Sequence, residues 1–264
     1  MTHRGPRPSL GLIGMVLVLS LLGACSDDGG GDSEVAGGTP TSSSTPRTTT
    51  APRPSAASPT VTPVAPGSPQ ERPTGSARLR GIDVSHHQGA IDWAAVAGDD
   101  IDFAYLKATE GSGFTDDRFD SFAREATAAG LKVGGYHYYS LCTPPGPQAE
   151  HFAATLEGAP TVLPPVVDLE LIGNCDPPPA KATLRAEVEQ FIGLVEKATD
   201  HRMVVYFHPD FEAHYAMVDL LDRPLWVRRV GDRPPPGDWV IWQRDDAGTV
   251  DGIDTPVDID VMRR

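Results

Sequence analysis

Apolar and polar positions alternate in two different rhythms along residues 79–264, and hardly at all before them. Short apolar runs at 80–84, 102–108, 132–138, 162–169, 203–207, 224–228, 239–243 and 257–260 predict strands. Between the early ones, 91–97, 116–130, 147–157 and 181–198 carry helical patterns. In the last of these Leu184, Val188, Phe191, Ile192 and Val195 share one face. Gly130 is the residue type that closes a helix. Strand–helix alternation predicts a parallel sheet with right-handed crossovers. Eight such strands predict a single barrel. Beyond Phe207 the helical signal thins, so the later connections are expected to be loops.

One strand ends in acid. In LPPVVDLE (163–170) the alternation of an extended chain puts Asp168 and Glu170 on one face, Val167 and Leu169 on the other. Two residues of rise separate the carboxylates by roughly 6–7 Å. Crowding acids at the end of an apolar strand is costly unless they pair or do chemistry. An ion-pair network capping the strand and a catalytic pair are the two readings. In barrels of this kind chemistry sits at the carboxyl ends of the strands. Those ends carry Asp83; Lys107 and Glu110; Tyr136, His137 and Tyr138; Asp168 and Glu170; Tyr206 and His208; Trp226; Trp242 and Gln243; Asp258 and Asp260. Polar and aromatic residues recur where a cleft would be, while strand interiors stay apolar.

Composition divides the chain into three segments. Residues 1–24 read as an export signal, with His3, Arg4 and Arg7 ahead of an apolar run from Leu10 to Leu22. The run ends Leu22-Gly23-Ala24-Cys25, which resembles the lipobox of bacterial lipoproteins, whose cysteine becomes the lipid-modified first residue. An ordinary secretory signal is the alternative; a retained spanning helix would need roughly 20 apolar residues. Residues 25–78 are Ser, Thr, Pro, Gly and Ala with almost no large apolar side chain. Such a segment cannot bury a core and is expected to be a disordered tether, reaching on the order of 40 Å as a coil. Its Ser and Thr residues beside Pro are candidates for O-linked sugars.

The folded domain, 79–264, is large enough for one sizeable core. The whole chain carries a net charge of −14. From Gly81 onward 15 Lys and Arg stand against 31 Asp and Glu, a net of −16. So acidic a surface has no footprint for nucleic acid or anionic lipid. With Cys25 assigned to a lipid, Cys142 and Cys175 remain, and in an exported chain an even pair reads as one disulfide. They follow the third and fourth strands, so a bridge would brace the loop just after Glu170. Two free thiols are the alternative.

GIDVSHHQG (81–89) with IDW (91–93), KATEG (107–111), GYHYY (135–139), VVDLE (166–170), VVY (204–206), LW (225–226), IWQ (241–243) and VDIDV (257–261) resemble, in order, the motifs of glycoside hydrolase family 25 lysozymes, the N-acetylmuramidases. The resemblance covers essentially the whole domain. It implies an irregular, flattened, TIM-like β/α barrel that cleaves the β-1,4 bond from N-acetylmuramic acid to N-acetylglucosamine in peptidoglycan. By position, it implies Glu170 as general acid, Asp168 as its partner, and Asp83 and Asp258 as two further acids lining the cleft. It also implies net retention assisted by the substrate's own 2-acetamido group, with an aspartate orienting that group.

The chemistry is consistent with those roles. Glycoside cleavage needs a proton donor at the leaving oxygen and a negative group facing the oxocarbenium charge. Crowded carboxylates do not all ionise at once, so one can keep its proton near neutral pH. Tyr136, Tyr138, Tyr206, Trp226 and Trp242 are candidates to contact sugar rings, joined as substrate-binding candidates by Gln243 and Asp260. Asp260 reads alternatively as an acid behind Asp258, and Asp83 as a partner of loop amides near Ser85. Lys107 and Glu110 read as a structural pair, and Trp93 as core. Adjacent His86 and His87 invite a metal reading, but neighbouring side chains diverge and spacing places no third histidine. No metal or other cofactor is expected. Arg228 and Val230 stand where the family often has alanine and tyrosine, and Arg244 where an aromatic is common. The expectation is an exported monomer, lipid-anchored at the outer face of the cytoplasmic membrane and facing the wall. Its competitors are a catalytically silent glycan-binding lipoprotein on the same barrel and a metal-dependent deacetylase.

Overall fold

The computed structural model describes residues 78–264. The expected signal peptide, the lipidated Cys25 and the tether lie outside the described residues, except that Arg78 already belongs to the first strand.

Eight strands close a barrel. They are β1 (Arg78–Val84), β2 (Phe103–Glu110) with the two-residue β3 (Phe114–Thr115) hairpinned onto it, β4 (Lys132–Tyr138), β5 (Val166–Leu169), β6 (Val204–Phe207), β7 (Leu225–Arg228), β8 (Ile241–Gly248) and β9 (Val257–Arg263). Apart from the β3 hairpin, neighbours from β1 through β8 run parallel. The expected all-parallel sheet is corrected at β9, which is antiparallel to both β8 and β1. Residues 249–256 are too few for a crossover, which takes a dozen or more, so the chain turns straight back.

Four helices lie where the apolar rhythm puts them: α1 (Trp93–Gly98), α2 (Phe119–Ala128), α3 (Pro145–Leu156) and α4 (Lys181–Thr199). The fifth, α5 (Pro209–Tyr215), was not expected after β6. Its seven residues are too short for a 3.6-residue rhythm to show, although Pro209 in its first turn is a usual start signal.

Strand alternation sorts the apolar side chains into two cores. Ala104, Leu106, Val167, Leu169 and Val205 face the helices and meet Leu184, Val188, Phe191, Ile192 and Val195 of α4. Phe103, Tyr105, Val166, Val204, Tyr206, Trp226 and Ile241 fill the barrel interior. The plug is tight: a Cβ at Gly81 would lie 2.3 Å from the Phe103 ring, so β1 needs glycine there. The Tyr105 hydroxyl, within this plug, donates to the Pro164 carbonyl at 3.1 Å. Each buried ring contributes about 1.5–3 kcal/mol. With that interior filled, the polar inward residues gather at the strands' carboxyl ends.

Candidate active site

The same alternation that packs the core aims the acids. On β5, Val167 and Leu169 are buried toward the helices, so Val166, Asp168 and the following Glu170 point inward. On β1, Ile82 and Val84 pack outward and Asp83 faces in; on β9, Val257 and Ile259 do so and Asp258 faces in. Asp83 and Asp258 stand directly opposite in the β1–β9 register. Tyr138, Asp168 and Tyr206 lie side by side across β4, β5 and β6.

These residues meet around a cavity of about 320 Å³, lined by Asp83, Tyr136, Tyr138, Val166, Asp168, Glu170, Tyr206, His208, Trp226, Arg228, Gln243, Asp246 and Asp258. All four acids singled out from the sequence are therefore brought together, with Tyr136, Tyr138, Tyr206, Trp226 and Gln243.

Two expected contact residues do not line it. Trp242 alternates outward from Gln243; its Nε1 donates to the Arg229 carbonyl at 2.7 Å and its ring meets Trp239. Asp260 faces inward but is fully buried, taking the Trp226 Nε1–H at 3.1 Å. It supports Trp226 from below, in keeping with the alternative that places it behind Asp258. His137, also at a strand end, points away from the cavity into a closed network. There it meets Thr109 Oγ1 at 2.7 Å and Gln148 Oε1 at 3.2 Å. Burial drives its pKa down to about 3, so the ring is neutral.

Hydrogen bonds fix the floor. Gln243 Nε2 donates to Asp83 Oδ2 at 3.2 Å, and its Oε1 accepts the Tyr206 hydroxyl at 3.0 Å. Asp260 and Asp83 share a carboxyl–carboxyl hydrogen bond, which needs a proton on one of them.

Burial raises Asp83, Asp168, Glu170, Asp258 and Asp260. Asp83 rises well above the carboxylate range through desolvation, with Asp258 and Asp260 adding repulsion. Asp168 rises likewise, through desolvation and then Glu170. Asp260 is raised mainly by burial. Asp258 is pushed up to about 6 by burial and the nearby Asp246, with Arg228 opposing. Glu170 is raised by desolvation, while His208, Lys107 and Arg228 pull it back. The cavity can thus hold a protonated carboxyl beside ionised ones.

The loop that follows Glu170 is tied on both sides. Cys142 and Cys175 form a disulfide with Cα atoms 5.9 Å apart, joining the loops after β4 and β5 as the pairing expectation had it. Asn174 Nδ2 donates to the Tyr139 carbonyl at 2.8 Å and reaches the Glu170 carbonyl at 3.4 Å. From α5, Asp210 Oδ2 accepts the Ile172 N–H at 2.8 Å, while its Oδ1 meets His208 Nδ1 at 2.5 Å.

In the sequence His208 reads only as a strand-end residue and Arg228 only as a departure from the family, and Asp246 carries no signal; all three line the cavity. Inward alternation from Tyr206 and Trp226 places His208 and Arg228, and was readable. Asp246 was not, because β8 shifts register between Gln243 and Asp245.

The histidine pair has a structural explanation. His86 bonds Asp116 Oδ2 through its backbone N–H at 3.0 Å and through Nδ1 at 2.8 Å, closing a short turn that Ser85 and Gln88 also cap. Lys107 Nζ meets Glu110 Oε2 at 2.6 Å and lies over the Tyr138 ring. Among the described residues no group of three or more His, Cys, Asp or Glu is placed to hold a metal ion.

Known proteins resemble this chain over the barrel. The model of glycosyl hydrolases family 25 matches residues 82–253. The uncharacterized protein YegX of Escherichia coli is 34% identical over 70% of this chain and 69% of its own. An autolytic lysozyme of Clostridium acetobutylicum is 32% identical over 69% of this chain and 55% of its own. The solved family 25 glycosyl hydrolase of Bacillus anthracis superposes with a TM-score of 0.65, at 29% identity over 70% of this chain and 89% of its own. With the acids converging at the mouth of a closed barrel and the family pattern covering that barrel from β1 through β8, the chain belongs to glycosyl hydrolase family 25 and is a glycoside hydrolase.

Proposed function

We propose that the protein is a peptidoglycan muramidase that cleaves the β-1,4 bond between N-acetylmuramic acid and N-acetylglucosamine. The observation that carries this reading is the convergence of Asp83, Asp168, Glu170 and Asp258 on one cavity at the barrel mouth. A carboxyl there can accept the N–H of a 2-acetamido group, and both sugars of the wall glycan carry one.

In this reading Glu170, its pKa raised by burial, donates a proton to the leaving oxygen. Asp168 orients the acetamido group, whose oxygen attacks the anomeric carbon. Glu170, now ionised, then takes a proton from the water that opens the intermediate. Asp258 adds negative charge opposite the developing cation, while Asp83, whose carboxyl burial keeps protonated, is a hydrogen-bonding wall of the same cavity. Tyr136, Tyr206 and Trp226 supply walls of suitable shape. The names of the lysozyme relative and of the family support the substrate class.

The sequence signals for export and for lipid attachment at Cys25 fit this substrate, and we place the protein on the outer face of the membrane, acting as a monomer on the wall. Palmitate labelling that Cys25→Ala abolishes tests the attachment.

The activity test compares wild type with Glu170→Gln on purified wall. Wild type should release new muramic acid reducing ends, and the variant none while still binding the glycan. Binding by wild type without any release would instead support the glycan-binding lipoprotein.

A further inference from the structure

The cavity wall holds five carboxylates, Asp83, Asp168, Glu170, Asp246 and Asp258, and only one fixed cation, Arg228. A cleft of that composition repels anions everywhere but at one place. Arg228 follows Trp226 by two residues on β7, so it stands one pleat nearer the mouth, directly above a ring suited to a sugar face. Asp246 holds the guanidinium through Nη2. Among the described residues no other donor of Arg228 is engaged by a hydrogen bond, which leaves Nε and Nη1 available. The side chains of Arg228 and Asp246 are 24% and 45% exposed, so the pair sits at the rim where an incoming anion can reach it. Glu170 and Asp258 also feel its charge, but its Nε and Nη1 make no hydrogen bond among the described residues. A guanidinium pre-set by one carboxylate with donors to spare is a carboxylate receptor.

We propose that Arg228 forms a carboxylate-recognition subsite beside the reacting acids, reading an anionic substituent on the bound sugar and thereby setting which glycan is preferred. The proposal rests on the muramidase reading above. Two carboxylates of the wall have the right chemistry. One is the lactyl carboxylate of muramic acid, free where the stem peptide has been removed. The other belongs to the stem peptide itself. Asp246 has a double role here. It fixes the guanidinium, and its own charge competes with the ligand.

The test uses three soluble glycans: peptide-free strands with lactyl carboxylates, the same strands with those carboxylates methyl-esterified, and peptide-bearing strands. For each, kcat/KM is measured on wild type, Arg228→Gln, Arg228→Lys and Asp246→Asn. A charge-assisted pair is worth about ten-fold or more. Wild type should prefer a carboxylate-bearing strand over the ester by about that factor, mainly through KM. In Arg228→Gln the preference should collapse toward one, and in Arg228→Lys it should be intermediate. Asp246→Asn keeps a hydrogen-bond acceptor but removes the competing charge, so the preference should rise. Preference for the peptide-free strand assigns the lactyl group; preference for the peptide-bearing strand assigns the peptide.

Ratios of acid to ester and of peptide-bearing strand to ester that Arg228→Gln and Asp246→Asn both leave at the wild-type values overturn the subsite. Binding of the same strands to Glu170→Gln, measured by calorimetry, separates this from failure of the muramidase reading. If no strand is cleaved by wild type yet binding still falls on esterification, the subsite stands and the hydrolytic reading does not.

Discussion

The side-chain amide of Gln243 donates from Nε2 to Asp83 Oδ2 at 3.2 Å, joining strands that lie 160 residues apart in the chain. Because Gln243 Oε1 is occupied by the Tyr206 hydroxyl, the amide has one orientation that satisfies both partners. It therefore positions Asp83 and Tyr206 together. Gln243→Glu replaces the donor with a second carboxylate against Asp83. It is expected to lower stability at neutral pH by about 2 kcal/mol and to lower kcat/KM by ten-fold or more. Chemical denaturation and initial rates check this; wild-type values in both would remove Gln243 from the site.

The buried acids make stability depend on pH in a definite direction. Asp258 ionises near pH 4 in the unfolded chain and near 6 in the fold. Between those values the native state binds more protons, so this contribution falls as pH rises from about 4 to 6. His137 acts in the opposite sense. Its folded pKa of about 3 lies below the unfolded value near 6.5, so its contribution grows with pH across that window. A single melting curve mixes the two. Asp258→Asn separates them: the melting temperature of the variant minus that of wild type should climb between pH 4 and 6 and level off above. A flat difference would mean that Asp258 is not raised.

The disulfide closes a loop between residues 33 apart in sequence. Chain-entropy reasoning gives about 3–4 kcal/mol for a loop of that length. Double substitution of Cys142 and Cys175 by Ser should lower stability by an amount of that order. Because the bridge and Asn174 secure the segment after Glu170, amides of Leu171 to Cys175 should exchange faster in the variant. Unchanged exchange there would confine the disulfide to global stability.

The barrel and most of its site were legible from the sequence for a common reason. Strand alternation has a period of two, so Asp168 and Glu170, or Asp83 against Ile82 and Val84, reveal their facing from local pattern alone. The family motifs then named the acids. What stayed hidden depends on neighbours. Trp242 shares a strand end with Gln243, yet alternation turns it outward, where its ring meets Trp239. Asp260 has the facing but not the depth, which is set by Trp226 reaching down to it across the sheet. Asp246 needed the register shift of β8, and the antiparallel β9 needed the length of its connection rather than its composition. His137 shares the strand end with the site residues, but the buried Gln148 of the following helix α3 closes a network around it.

Mass spectrometry of the soluble fragments from purified peptidoglycan tests the central claim most directly. Wild type should yield disaccharide-based products ending in a reducing N-acetylmuramic acid, and Glu170→Gln should yield none. Products ending in a reducing N-acetylglucosamine, or equal yields from the two proteins, would contradict the assignment of bond and acid.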